Sequence, residues 1–60
     1  LNFLISCMNK INKGGWLVIE DIPFAAKPIW ELIDFIMNAK QKSFLIKTKN
    51  CYVYLINKKN

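Results

Sequence analysis

The sequence predicts an α/β unit in the order helix, strand, helix, strand, strand, with the last two strands forming an antiparallel hairpin. Three observations carry that expectation. Apolar residues recur with a helical period over Leu1 to Ile11 and again over Ile29 to Ile36. A continuous apolar run, Trp16-Leu17-Val18-Ile19, lies between these segments. Two strand-like segments, Ser43 to Thr48 and Cys51 to Asn57, close the chain with only Lys49-Asn50 between them.

Leu1, Leu4, Ile5, Met8 and Ile11 follow the i, i+3, i+4, i+7 spacing that lays one apolar stripe along a helix. Lys10 and Lys13 suit the negative end of its macrodipole, and the pair Gly14-Gly15 supplies a left-handed cap. The run Trp16 to Ile19 does not alternate, which predicts a central strand covered on both faces, as in a parallel sheet. It runs into Glu20-Asp21, and after Ile22 the ring of Pro23 ends the ladder. The two carboxylates are therefore expected at the C-terminal tip of the strand.

Pro28 suits the first position of a second helix reaching Lys40, with Glu31 and Asp34 toward its positive end and Lys40 at its negative end. Ile29, Leu32, Ile33 and Ile36 form the expected buried stripe, broadened by Trp30 and Met37. The final two segments are too close in sequence for a crossover and must pair antiparallel.

Composition narrows the function classes. There is no histidine and no CxxC, and the only glycines are adjacent, so a serine-histidine triad, a zinc site and a glycine-rich phosphate loop are excluded within this chain. Cys7 and Cys51 read as small apolar residues, and with no segment resembling a signal peptide they imply a reducing, cytoplasmic setting. No apolar run approaches the ~18 residues of a membrane-spanning helix. Hydrophobic residues make up 53% of the chain, and Leu1 already lies within the helical pattern. Residues 1–60 are therefore expected to be the C-terminal portion of a single larger domain, because alone they would expose much apolar surface.

The net charge of +5 is uneven, since Lys40, Lys42, Lys47, Lys49, Lys58 and Lys59 all follow the last acid, Asp34. A basic end attracts phosphate, and a small binding module contacting nucleic acid or an anionic membrane through this hairpin is the alternative reading. The absence of arginine argues against nucleic acid, and lysines decorating a solvated sheet edge account for the same pattern.

Glu20-Asp21 is the remaining chemical candidate. Ligands of open α/β sheets bind beyond the carboxyl ends of strands, and adjacent carboxylates there can hold a hard divalent cation or accept from a substrate hydroxyl. On spacing alone, a helix-capping or loop-ordering role is the simpler account of the pair.

The stretch Lys13-Gly14-Gly15-Trp16-Leu17-Val18-Ile19-Glu20-Asp21-Ile22 resembles the fifth strand of Rossmann-like S-adenosylmethionine-dependent methyltransferases. In that family a helix ends at paired glycines and a buried strand runs into an acidic tip. A helix, a sixth strand and an antiparallel seventh inserted by a hairpin follow, similar to Pro28 to Lys40, Ser43 to Thr48 and Cys51 to Asn57. The resemblance spans nearly the whole chain in element order and is specific in residues only in that stretch. It implies methyl transfer to a small-molecule or glycan acceptor, with S-adenosylmethionine held by a part of the protein outside this chain. The ending Ile19-Glu20-Asp21 is similar to that of metal-dependent sugar O-methyltransferases acting on macrolide-type products. Carried over, Glu20 and Asp21 are magnesium ligands. Ile22 stands where catechol-type relatives have asparagine, which disfavours a catechol site.

Overall fold

The computed structural model describes residues 1–59. The elements are helix α1 (Asn2–Asn9), strand β1 (Trp16–Ile22), a 3-10 turn (Phe24–Ala26), helix α2 (Lys27–Met37), and strands β2 (Lys42–Lys47) and β3 (Tyr52–Asn57). The three strands form one sheet in the order β1-β3-β2, and β3 is antiparallel to both neighbours. The order of elements and the closing hairpin are those expected from the sequence.

The centre of the sheet is not where the sequence placed it. β3 is the middle strand and β1 lies at an edge, antiparallel to its one neighbour. Tyr52, Tyr54 and Ile56 of β3 are buried on one face, while Val53 and Leu55 are half-buried on the other. In β1, burial alternates, with Trp16 and Val18 exposed and Leu17 and Ile19 half-buried. Tyr52-Val53-Tyr54-Leu55-Ile56 is a longer apolar run than Trp16 to Ile19, so the criterion of a continuous run applies best to β3.

Both helices pack on the face carrying Tyr52, Tyr54 and Ile56. The core joins these residues to Leu4 and Met8 of α1, Ile22 of β1 and Met37 of α2. Trp30 sets the roll of α2, its ring centroid 5.4 Å from that of Tyr54. The buried side of α2 therefore follows Trp30, Ile33 and Met37, and Ile29, Leu32 and Ile36 are exposed, contrary to the expected stripe. Apolar residues occupy most positions from Ile29 to Met37, so periodicity did not single out one face.

Both helices end earlier than expected. In α1 the cap is Lys10, in right-handed conformation, with its N–H on the Cys7 carbonyl. Lys10 and Lys13 thus lie beyond the last turn, and the glycines shape the turn into β1 instead. Gly14 takes the left-handed φ of 88°, and a Cβ on Gly15 would stand 2.9 Å from the Asn12 carbonyl oxygen. α2 stops at Met37 with neither an acid in its first turn nor a base in its last, so the expected pairing of Glu31, Asp34 and Lys40 with the macrodipole is absent.

The end of α1 is fastened by the last residue of β3 and the residue after it. Lys58 Nζ donates to the carbonyls of Met8 at 2.7 Å and Ile11 at 2.8 Å. Asn57 Nδ2 donates to the carbonyls of Gly14 and Gly15, and Lys58 N–H to that of Gly15. These contacts fasten α1, the glycine turn and β3 together. The cysteines are free and half-buried, somewhat more accessible than core residues. Among the described residues, no helix is long and apolar enough to cross a membrane.

Candidate functional site

Glu20 and Asp21 lie within the last part of β1 rather than after it, because the strand continues to the buried Ile22 before Pro23 ends it. Pairing slips across them, since Ile19 faces Tyr54 while Ile22 faces Tyr52. Two β1 residues therefore stand against one residue of β3, which is a β-bulge. Asp21 adopts a φ of 58°, the only left-handed non-glycine residue among those described. Aspartate tolerates that region better than most side chains, at a cost of order ~1 kcal/mol. Both side chains are exposed.

The donor set suits a hard cation. Magnesium is commonly held by one or two carboxylates, with water and substrate completing an octahedron, and Glu20 and Asp21 are oxygen donors of that type. Among the described residues no third acid, cysteine or histidine joins them to form a metal-holding cluster.

The charged hairpin does not present one continuous basic surface. Lys42 pairs with Asn57 and Lys47 with Tyr52, positions an odd number of residues apart on β2 and hence on opposite faces. Lys42 Nζ lies 5.9 Å from the Phe44 ring and Lys47 Nζ 5.5 Å from the Phe24 ring. Lys58 is committed to the end of α1. Exposed Lys42 and Lys47 do decorate β2, a sheet edge.

A polar cluster not anticipated from the sequence sits between α2 and the hairpin. Ser43 Oγ donates a short hydrogen bond to Asp34 Oδ1, and both lie near the Tyr54 ring. The Tyr54 hydroxyl is fully buried and has no hydrogen-bond partner of ordinary geometry. Burial pushes its pKa up from 10.0 to about 12, opposed by the nearby Ser43 hydroxyl and reinforced by the Asp34 charge. Beside Asp34, an open concavity of about 1010 Å³ is lined by Lys27, Glu31, Phe35, Leu45 and Lys47 among others. The sequence carried little signal of this cluster, because Asp34 and Ser43 come together only through the packing of α2 on β2.

No known family matches this chain, and neither a characterised protein nor a solved structure shows detectable similarity to it.

Proposed function

We propose that this chain is the C-terminal portion of a Rossmann-like methyltransferase, in which Glu20 and Asp21 face the acceptor side of the active site. The observation that carries the reading is the insertion of β3 between β1 and β2, which adds to the resemblance of Lys13 to Ile22. A hairpin strand placed this way leaves β1 with one free edge for further strands and puts the acidic bulge at its carboxyl end, where open α/β sheets bind ligands. S-adenosylmethionine is held by other parts of the protein. The acceptor is a small molecule or glycan presenting a hydroxyl.

Glu20 and Asp21 supply hard oxygen donors for a magnesium ion. Such an ion, when bound, polarises an acceptor hydroxyl and eases loss of its proton. The bulge takes Glu20 and Asp21 out of the regular alternation that sends successive side chains of a strand to opposite faces.

The decisive experiment compares turnover and S-adenosylmethionine affinity of Glu20→Gln and Asp21→Asn in the complete enzyme, with and without a chelator. Turnover should fall by about tenfold or more, with cofactor affinity nearly unchanged. Unchanged turnover in both variants would reduce the pair to loop-ordering groups. Loss of turnover and cofactor binding together would mean that the acids shape the fold.

A further inference from the structure

α2 carries more apolar surface than one face of a helix can bury. Trp30, Ile33 and Met37 face the sheet, while Ile29, Leu32 and Ile36 remain 64%, 61% and 45% exposed. Successive residues of an α-helix are about 100° apart, so rolling α2 by that much would turn Ile29, Leu32, Ile33 and Ile36 inward instead. That stripe is at least as apolar as the one in use, and burial of apolar area does not by itself exclude it. The contact of Trp30 with Tyr54 favours the observed roll. What the rolled helix lacks is an acceptor for Ser43. Ser43 is 6% exposed and donates a short hydrogen bond to Asp34 Oδ1. Asp34 is half-buried, whereas Lys27 and Glu31, the other ionised side chains of α2, are exposed.

We propose that the hydrogen bond from Ser43 to Asp34 is a polar latch, which holds α2 in one of two packings that its apolar side chains would otherwise fill about equally well. Rolling the helix carries Asp34 toward solvent and lays aliphatic side chains over β2. The Ser43 hydroxyl is then covered without its acceptor, and a buried polar group left unpaired costs more than its hydrogen bond contributes when made. The Tyr54 hydroxyl, buried and already unpartnered, belongs to the same cluster, so the rolled packing would set two unsatisfied hydroxyls under an apolar lid. Trp30 thus favours the observed packing and the latch excludes its competitor. The inference concerns packing within this chain and stands independently of the acidic bulge and of methyl transfer.

The test is NMR of the full-length protein labelled at isoleucine methyls and tryptophan indoles. With the latch intact, the Trp30 indole should show cross-relaxation to the Tyr54 ring, and Ile29 and Ile36 should each give one methyl signal. Ser43→Ala removes the buried hydroxyl and should raise the share of the rolled packing by about fivefold or more. A second set of Ile29 and Ile36 signals, displaced by the Tyr54 ring, should then appear. Adding Leu32→Lys to Ser43→Ala should abolish that second set, because Leu32 is exposed in the observed packing and a lysine there opposes only the rolled one. An unchanged single set in Ser43→Ala, or a second set that survives Leu32→Lys, would overturn the proposal. So would loss of all folded signals in Ser43→Ala, since the pair would then support the whole fold and not select one packing of it.

Discussion

Tyr54 shows how one buried atom couples stability to pH. Its hydroxyl lost water without gaining a partner, so the neutral form is favoured in the fold and the pKa rises to about 12 from 10.0. A raised pKa means that the folded state holds its proton where the unfolded chain has released it. Stability from this source is intact below pH 10 and declines as the pH climbs from 10 toward 12. Tyr54→Phe should cost little at neutral pH, because it deletes an unsatisfied group rather than a hydrogen bond, and should flatten the alkaline fall. Denaturant titrations of both proteins at neutral and alkaline pH provide the check, and a parallel fall in the variant would assign the effect to other groups.

At the scale of elements, the weakest joint is the attachment of α1. Its eight residues are too few to be helical alone, so its stability must come from packing and capping. Lys58, just after β3 and fifty residues along the chain, caps it by bonding the Met8 carbonyl. Lys58→Met keeps the aliphatic stem and removes both hydrogen bonds and the charge at the negative helix end. The expected loss is about 1–2 kcal/mol. Hydrogen exchange should then quicken in α1 while β2 and β3 retain protection, whereas uniform loss across the chain would argue that α1 and the sheet unfold as one unit.

For the molecule as a whole, the face opposite the helices governs behaviour. The accessible surface of the whole chain, 4350 Å², is close to the roughly 4,000 Å² expected for a monomer of 7.0 kDa, so the quantity of surface is ordinary. Its chemistry is not. Trp16 and Phe44 stack across the sheet with ring centroids 6.4 Å apart, and Val18 and Ile46 are exposed beside them. Produced by itself, the chain should associate through this apolar sheet face and the free edge of β1. Sedimentation at rising concentration should show a growing apparent mass, relieved in Trp16→Lys/Phe44→Lys. A concentration-independent monomer with a cooperative melt would refute this.

Local chemistry determined a good deal of this protein by sequence alone. The order of elements was legible because proline, the paired glycines and the short Lys49-Asn50 turn punctuate the chain, and the antiparallel hairpin followed from its connection length. The sequence singled out the acidic pair, although the bulge that holds Asp21 at positive φ was not legible in it. Tertiary structure decided which strand is central and which side of each apolar-rich helix is buried. Trp16 to Ile19 looked central because its apolar run is continuous, yet the longer run in β3 takes that place. α2 presents Trp30 inward because Tyr54 offers a ring to pack on, leaving Ile29, Leu32 and Ile36 outside. Periodicity reports which residues prefer to leave water; when most positions are apolar, only the shape of the neighbouring surface selects among them.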